Sequence, residues 1–326
     1  MKRFTRSVLV SSDLADDVIG NVTDSISAYK YDQYQRYPAL HKNAWIDYLV
    51  ARFKQLLNDD EWFFLYNHDD NIPHLLGCRI SAWDYDLFGV RMASISIMAC
   101  GDSERTEKVL SEMLDGCLAV LRDNGVAFVS SRINGDNIAA LHAFESCGFR
   151  YYENIIWPVA SCEDISADRS SDVRLMTASD FDQVIDIAST NTFQRSHYHC
   201  DEGFNKRQAD QVLAKYVKSA WAKDEPIAII ESEGRVTGFF AFKIDQQLSD
   251  ALGYRYGRMK NLALDSRNQS KGLGTALFSG AMSLMKEMGA EYIDSGYSSK
   301  NHVSAKLHAR HAMYSVCEEA TFHLWL

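Results

Sequence analysis

The two halves of this chain end with the same succession of predicted elements, and this repetition limits the fold more than any other feature of the sequence. In the first half, hydrophobic periodicity predicts a closing series of helix, strand, helix and strand, at residues 105–124, 126–132, 138–146 and 149–157. In the second half it predicts the same series at residues 275–288, 292–295, 303–310 and 319–325. A repeat of this length is too long for a solenoid, so we expect two copies of one ancestral unit.

The other predicted elements precede these series. The first half predicts a helix and three strands, at residues 42–58, 62–66, 75–83 and 90–98. The second half predicts a strand, two helices and three more strands, at residues 173–176, 181–189, 206–221, 227–231, 236–244 and 258–264. Antiparallel neighbours mixed with crossover helices are typical of an α/β fold with a mixed (α+β) sheet.

A small, polar and acidic stretch separates the two halves. Residues 160–172 read Ala-Ser-Cys-Glu-Asp-Ile-Ser-Ala-Asp-Arg-Ser-Ser-Asp, a composition typical of a loop. We therefore predict a first domain at residues 1–160, a linker at 161–172 and a second domain at 173–326. The chain has 326 residues, of which 46% are hydrophobic, so each domain can bury its own core.

Composition and charge exclude several classes of protein. A net charge of −10 argues against a nucleic-acid-binding protein, and no apolar run is long enough to be inserted in a membrane. The first residues contain too short an apolar stretch for a signal peptide. Seven cysteines without a CxxC pair indicate reduced thiols, so a cytoplasmic location is expected. The expected binding partner is a small molecule. The oligomeric state stays open between a monomer and a homodimer, because apolar faces for a core and for an interface look the same in sequence.

The sharpest local signal is a glycine-containing turn after an apolar strand. Residues 261–278 read Asn-Leu-Ala-Leu-Asp-Ser-Arg-Asn-Gln-Ser-Lys-Gly-Leu-Gly-Thr-Ala-Leu-Phe, so that two glycines open a long amphipathic helix. Unpaired N–H groups at a helix start bind phosphate, and glycines allow an anion to approach closely. The spacing is neither a Walker A loop nor GxGxxG, and two glycines alone would suit an ordinary helix start equally well.

Residues 269–274, Gln-Ser-Lys-Gly-Leu-Gly, resemble the Q/R-x-x-G-x-G/A loop of the GCN5-related N-acetyltransferase (GNAT) superfamily. The preceding Leu-Ala-Leu-Asp is similar to the strand of that family that holds the pantetheine arm. The resemblance implies two tandem GNAT-like domains, with acetyl-CoA as co-substrate and no metal. It implies that the cofactor is bound by Leu262, Ala263, Leu264, Gln269, Ser270, Lys271, Gly272, Leu273, Gly274, Thr275 and Asn301.

Residues 301–308, Asn-His-Val-Ser-Ala-Lys-Leu-His, resemble the family's N-x-x-A-x-x-L-Y segment. The asparagine there contacts the cofactor arm, and the tyrosine is often the acid that protonates the departing thiolate. This chain has His308 at the tyrosine position, and an imidazolium could take the same role. Tyr314 is a rival acid, and a histidine without chemistry fits the sequence equally well.

The first half keeps the closing motif and lacks the glycine loop. Residues 137–149, from Asn137 to Phe149, resemble the family's N-x-x-A-x-x-x-Y/F-E-x-x-G-F motif. The upstream turn, residues 99–108, has one glycine and two glutamates, which would repel a pyrophosphate. We therefore expect a degenerate first domain and a cofactor-binding second domain.

A narrower resemblance concerns the amine substrate. Residues 83–90, 193–201 and 321–325 are similar to segments of the bacterial dTDP-fucosamine acetyltransferase family, which acetylates a dTDP-4-amino-4,6-dideoxyhexose for surface polysaccharides. The first 70 or so residues are outside this resemblance. The residues that it implies for substrate binding are Arg195, Ser196, His197, Tyr198 and Asp201. His197, His199 and Cys200 lack a second pair at metal-ligand spacing, so a metal site is not expected.

The resulting hypothesis is acetyl transfer from acetyl-CoA to a nucleotide-linked amino sugar, by direct attack of the amine on the thioester. Such a reaction needs no enzyme nucleophile. Backbone N–H groups of residues 262–264 are expected to stabilise the oxyanion, and the general base stays open among Asp201, Glu202, His197 and water. The alternatives are acetylation of another small amine (an antibiotic, a polyamine or an amino acid) and a non-catalytic acyl-CoA sensor.

Overall fold

The structure, a computed structural model, describes residues 2–4, 20, 22–31, 41–69, 72–165, 172–190, 196–268 and 272–326. The chain forms two compact units of nearly equal size. Unit 1 contains Met1–Asn154 together with Cys317–Leu326, and unit 2 contains Ile155–Val316. Two long strands, Arg150–Ser161 and Tyr314–Trp325, each contribute to both units.

Unit 1 is built from a mixed sheet with helices on both of its faces. Its strands are β1 (Lys2–Phe4), β2 (Trp62–Asp69), β3 (Ile72–Ser81), β4 (Met92–Cys100), β5 (Phe128–Asn134), the start of β6 (Arg150–Ser161) and the end of β13 (Tyr314–Trp325). Its helices are α1 (residues 22–28), α2 (Lys42–Leu56), α3 (Ala82–Phe88), α4 (Thr106–Asp123) and α5 (Ile138–Ser146).

The order of paired strands in unit 1 is β1-β2-β3-β4-β5-β13, and β4–β5 is the parallel pair among those five pairs of described strands. Alternation along β2 divides its side chains between two cores, because neighbouring residues of a strand point to opposite faces. Phe63 and Leu65 join the core beneath α4 and α5, whereas Phe64 and Tyr66 join the core beneath α1 and α2.

Unit 2 repeats this layout. Its strands are the end of β6, β7 (Val173–Leu175), β8 (Ile227–Ser232), β9 (Arg235–Ile244), β10 (Tyr256–Leu264), β11 (Tyr292–Asp294), β12 (Tyr297–Ser298) and the start of β13. Its helices are α6 (Phe181–Thr190), α7 (His197–Cys200), α8 (Lys206–Asp210), α9 (Val212–Ala222), α10 (Gln246–Leu252), α11 (Leu273–Glu287) and α12 (His302–Arg310).

The strand order in unit 2 is β6-β11-β10-β9-β8-β7, and β12 also pairs with β6. Its one parallel pair among the described strands is β10–β11, which α11 connects. One face of the sheet packs against α11 and α12, and the other packs against α6 and α9. Unit 2 is therefore a three-layer sandwich of helices, sheet and helices.

The predicted repeat is confirmed by the matching strand orders. In each unit a series of antiparallel strands is followed by a strand, a long helix and a second strand, and these last two strands pair in parallel. They are β4, α4 and β5 in unit 1, and β10, α11 and β11 in unit 2. Both of these central strands carry a β-bulge, at Ser96 in β4 and at Lys260 in β10. The predicted α/β class with a mixed sheet is likewise confirmed.

The boundaries of the units differ from the predicted domains at 1–160, 161–172 and 173–326. Residues 155–161 belong to unit 2, because their strand pairs with β11, and residues 317–326 belong to unit 1, because Glu319–Trp325 pair with β5. Residues 166–171 of the predicted linker lie outside the described residues. The sequence alone could not show that residues 155–161 pair within unit 2, or that residues 317–326 return to unit 1.

Two short helices replace segments that were predicted as strand end, turn or loop. Ser81 caps α3 by accepting a hydrogen bond from the Asp84 N–H, and Asp245 caps α10 in the same way from the Leu248 N–H. A left-handed glycine ends each helix, Gly89 with φ 65° and Gly253 with φ 76°. In both cases the sequence has a capping residue and, eight residues later, a glycine, a pattern that predicts a short helix between them.

Candidate functional site

The centre of the candidate site is the point where β10 and β11 separate. Their parallel ladder ends at the pair Arg258 and Asp294, whereas β10 continues to Leu264. The bulge at Lys260 shifts the register of β10 against β9 at the same place. Beyond Arg258, β10 therefore has a length of edge that β11 does not cover.

Two glycines, Gly238 and Gly274, leave room for the end of β10 at Leu264. A Cβ at Gly274 would touch Leu264 Cδ1 at 3.4 Å, and a Cβ at Gly238 would meet the backbone oxygen of Ala263 at 3.0 Å. Leu262 and Leu264 pack towards α11, while Ala263 is buried on the side of α6 and α9. The predicted strand residues and the start of α11 thus lie at one end of the sheet in unit 2.

Gly272 gives α11 a start that suits an anion. Its φ of 81° lies in the left-handed region, which only glycine adopts without strain. Among the described residues, no atom beyond its chain neighbours lies within 4 Å of the place a Cβ would take. Its carbonyl accepts the N–H groups of Thr275 at 3.0 Å and Ala276 at 3.2 Å. The first turn of α11 holds no acidic residue, so the positive end of the helix dipole is not neutralised there.

Three of the predicted loop residues, Gln269, Ser270 and Lys271, lie outside the described residues. The structure brings Leu262, Ala263, Leu264, Gly272, Leu273, Gly274 and Thr275 together around the end of β10. Thr275 Oγ1 also accepts a hydrogen bond from Arg310 of α12, at 3.3 Å. A guanidinium therefore lies next to the first turn of α11.

The matching turn in unit 1 is closed by its own side chains. Thr106 Oγ1 accepts the Ser103 N–H at 2.8 Å and donates to the Gly101 carbonyl at 3.0 Å. Glu107, in the first turn of α4, lies 3.5 Å from His142 Nδ1. The first turn of α4 therefore contains a carboxylate, which the first turn of α11 lacks.

Asn301 is the N-cap of α12, and its side chain accepts the Ser304 N–H at 3.1 Å. Asn137 caps α5 in unit 1 in the same way, from the Ala140 N–H at 3.2 Å. Capping therefore accounts for the asparagine in both units. The contact of Asn301 with a cofactor stays a prediction.

His308 lies inside unit 2 with 3% of its surface exposed, stacked on Tyr297 at a centroid distance of 4.6 Å. Its Nδ1 is 2.7 Å from the Ser304 carbonyl, which can only accept, so Nδ1 carries the proton. Nε2 is buried without a hydrogen-bond partner among the described residues. Burial lowers the pKa of His308 to about 4.

The proposed acid role of His308 required an imidazolium, and the geometry gives a neutral ring at pH 7 instead. The Nδ1 proton is already donated to a carbonyl, and Nε2 can only accept. Burial and the backbone partner both depend on the tertiary fold, so the sequence left this choice open. The acid role of His308 stays a prediction, and the buried ring favours the alternative of a histidine without chemistry.

Two tyrosines, Tyr314 and the Tyr297 that stacks on His308, retain a proton that could be donated. Tyr314, at the start of β13, is 50% exposed, and burial of its ring raises its pKa above the usual value. Burial also raises the pKa of Tyr297, whose hydroxyl bonds to the side chain of Ser315. Tyr297 was not singled out from the sequence, because it belongs to no motif.

The predicted substrate segment forms a self-contained turn. Arg195 lies outside the described residues, Ser196 precedes α7, and His197 and Tyr198 lie within it. Asp201 is 4% exposed, and its Oδ1 accepts the Gly203 N–H at 2.9 Å. The Asp201 carboxylate therefore stabilises this turn.

His199 has a defined role in the same segment. Its ring nitrogens bond to Ser196 Oγ and to Asp210 Oδ1. Within the described part of the chain, no group of three or more His, Cys, Asp and Glu side chains is arranged to hold a metal ion. No helix among the described residues is long and apolar enough to cross a membrane.

The sequence of residues 190–313, within unit 2, matches the model of the acetyltransferase (GNAT) family. No curated protein sequence matches the chain. Its fold is similar to that of a GCN5-related N-acetyltransferase from Sphaerobacter thermophilus, with a TM-score of 0.60, 12% identity, and coverage of 94% of this chain and 91% of that chain.

Two further solved structures share the fold. A tandem GNAT protein from the clavulanic acid biosynthesis pathway has a TM-score of 0.58 and 9% identity, covering 99% of this chain and 98% of that chain. The GCN5-related glucosamine N-acetyltransferase region of a fungal GH3 β-N-acetylglucosaminidase has a TM-score of 0.64 and 13% identity, covering 95% of this chain and 37% of that chain. Residues 190–313 of unit 2 therefore match the acetyltransferase (GNAT) family, and the chain as a whole shares the fold of these solved structures.

Proposed function

We propose that unit 2 transfers an acetyl group from acetyl-CoA to the amine of a nucleotide-linked amino sugar, a dTDP-4-amino-4,6-dideoxyhexose. The observation that carries the acetyl-CoA site is the start of α11. Gly272 adopts a left-handed conformation, has no crowding side chain at its Cα among the described residues, and precedes a helix turn without acidic residues. Helix starts of this kind bind phosphate groups.

The residues present fit the cofactor. The N–H groups of Leu273 and Gly274 belong to the first turn of α11, where helical N–H groups have no partner within the helix. The edge of β10 beyond Arg258 can pair with an extended pantetheine arm as a strand would. Arg310, bonded to Thr275, adds positive charge beside this turn.

Bound acetyl-CoA supplies the thioester that the amine attacks. Backbone N–H groups of residues 262–264 stabilise negative charge on the carbonyl oxygen. The departing thiolate takes its proton from Tyr314, whose raised pKa keeps it protonated at pH 7. In this mechanism His308 remains neutral, and its ring stays stacked on that of Tyr297.

The nucleotide-sugar substrate rests on the resemblance of residues 83–90, 193–201 and 321–325 to dTDP-fucosamine acetyltransferases. The described part of the second segment offers aromatic surface, since the rings of His197 and Tyr198 lie 4.0 Å apart. The fungal neighbour is named for glucosamine, which is also an amino sugar. The role of Arg195 and Ser196–Tyr198 in holding the sugar follows from this resemblance.

Unit 1 is proposed to bind no acetyl-CoA, since Thr106 and Glu107 occupy the start of α4. One bound cofactor per chain is then expected. Calorimetric titration with coenzyme A measures this number directly, and two equivalent sites would contradict the assignment.

The function is tested by release of free coenzyme A thiol from acetyl-CoA across dTDP- and UDP-linked amino sugars and free amines. Turnover with a dTDP-4-amino sugar, inhibited by thymidine diphosphate, supports the proposal. Turnover with free amines alone would retain acetyl transfer and reject the nucleotide sugar. Binding of acetyl-CoA with no turnover would favour an acyl-CoA sensor.

A further inference from the structure

Ser196, His199 and Asp210 form a chain of hydrogen bonds in the segment between α6 and α9. Ser196 Oγ lies 2.7 Å from His199 Nδ1, and His199 Nε2 lies 3.0 Å from Asp210 Oδ1. An ionised carboxylate only accepts, so the Nε2 atom carries the imidazole proton. Nδ1 is then an acceptor, and Ser196 donates its hydroxyl proton to it.

The surroundings fix this arrangement. The His199 side chain is 6% exposed, whereas that of Asp210 is 41% exposed and Ser196 is partly exposed. The Ser196 carbonyl accepts the N–H groups of His199 at 2.8 Å and Cys200 at 3.1 Å, which holds the backbone of Ser196 against the ring. The base is therefore shielded, while part of the surface of Ser196 is exposed.

The orientation of the hydroxyl is unusual for its position. Ser196 is the N-cap of α7, where a serine oxygen ordinarily accepts a backbone N–H of the first turn. No such side-chain capping bond is present, and the hydroxyl bonds to the imidazole instead. A serine, a base and a carboxylate that orients the base constitute the arrangement that activates a hydroxyl for attack.

We propose that Ser196 is a nucleophile, activated by His199 and oriented through Asp210, that accepts acyl groups from small activated esters and thioesters. This reaction goes beyond acetyl transfer to an amine and requires neither an amine nor the helix start at Gly272. It gives unit 2 a second, hydrolytic activity.

The chemical step is balanced by the three side chains. Ser196 Oγ attacks the acyl carbonyl carbon as its proton passes to His199 Nδ1, and Asp210 stabilises the imidazolium through the Nε2–H. The bond from the acyl carbon to the leaving oxygen or sulfur then breaks, and the imidazolium returns the proton to the leaving group. Water, deprotonated by the same imidazole, cleaves the acyl-serine to free acid and serine.

A second serine–histidine pair in unit 2 provides a matched control. Ser279 Oγ lies 2.6 Å from His311 Nε2, and His311 Nδ1 lies 2.8 Å from the Leu307 carbonyl. This pair has a neutral carbonyl in place of the carboxylate, so an imidazolium would be less stabilised there. Ser279 should therefore remain unreactive where Ser196 reacts.

The test treats the full chain with a fluorophosphonate and, separately, with p-nitrophenyl acetate, and locates the adduct by peptide mass spectrometry. We expect modification at Ser196, none at Ser279, and a rate about 100-fold lower in His199→Gln and about tenfold lower or more in Asp210→Asn. Ser279→Ala should react as the unaltered chain does, and Ser196→Ala should form no adduct while retaining its melting temperature.

An unmodified Ser196 in the folded chain would overturn the proposal, as would labelling that is unaffected by His199→Gln. The hydrogen bonds would then serve only to hold α7 against α8. Because neither probe contains coenzyme A or an amine, this failure is distinguishable from failure of the proposed acetyl transfer.

Discussion

Arg258 and Asp294 are joined by an ion pair, with Nη2 2.6 Å from Oδ2, across the last rung of the parallel ladder between β10 and β11. The Asp294 side chain is fully buried, and the guanidinium of Arg258 lies over the ring of Trp157 at 5.5 Å. The pair therefore holds the two strands together at the point where they begin to separate.

Asp294→Asn is expected to destabilise the protein by about 3–5 kcal/mol, because it leaves a largely buried guanidinium without its counter-charge. Urea unfolding at pH 7 measures the change in the free energy of unfolding. Glu112→Gln is the control, since Glu112 pairs with Lys108 at an exposed site, and its loss should cost less than about 0.5 kcal/mol. Equal effects of the two substitutions would show that the buried pair has no special role.

Gly272→Asp should abolish binding of coenzyme A, because it adds negative charge at the start of α11 and strains a left-handed backbone. Calorimetric titration with coenzyme A measures the affinity. Gly253→Asp imposes similar strain, at φ 76° and with open space around it, at the end of α10. It should bind coenzyme A normally, and retained affinity in Gly272→Asp would refute the loop assignment.

His308 should make stability depend on pH. Its pKa is about 4 in the folded protein, against about 6.5 in the unfolded chain, so the unfolded chain binds more protons between these values. Stability is fully present above pH 6.5 and decreases as the pH falls towards 4, by up to about 3 kcal/mol. Chemical denaturation at pH 4.5 and pH 7 should show a smaller difference for His308→Phe than for the unaltered chain; an equal difference would contradict the buried neutral ring.

Tyr314→Phe should slow turnover by about 100-fold or more while affinity for coenzyme A is retained, because in the proposed mechanism the phenol supplies the proton to the thiolate. Tyr151 of unit 1 has the same exposed fraction, 50%, so Tyr151→Phe is the matched control. Thiol release at saturating acetyl-CoA gives both rates. If His308→Phe slows turnover and Tyr314→Phe does not, the proton comes by way of the histidine after all.

The long, strongly periodic helices could be predicted closely from the sequence. The helix expected at 105–124 is α4, Thr106–Asp123, and the one expected at 275–288 is α11, Leu273–Glu287. The seven-residue helices α3 and α10 were missed, because two turns are too short to establish a 3.6-residue period. The helix predicted at 206–221 divides at Gln211 into α8 and α9.

In the candidate site, too, features set by neighbouring residues could be predicted from the sequence, and features set by tertiary contacts could not. Gly272 and its helix are adjacent in sequence, so their geometry could be read directly. The neutral state of His308 depends on burial against Tyr297 and Phe278, which no spacing reveals. Asp210 lies 11 residues from His199, at the end of a different helix, so their hydrogen bond was equally invisible.

The strand made by residues 317–326 also bears on how the protein is synthesised. Asn134 in β5 pairs with Glu319, about 185 residues later, so the nascent chain carries an unpaired β5 edge until the whole of unit 2 has left the ribosome. Domains ordinarily fold in the order in which they are translated, and an open strand edge invites aggregation. In this chain the first unit to be translated is the last to be completed, and a chain truncated before residue 317 lacks the strand that covers the β5 edge.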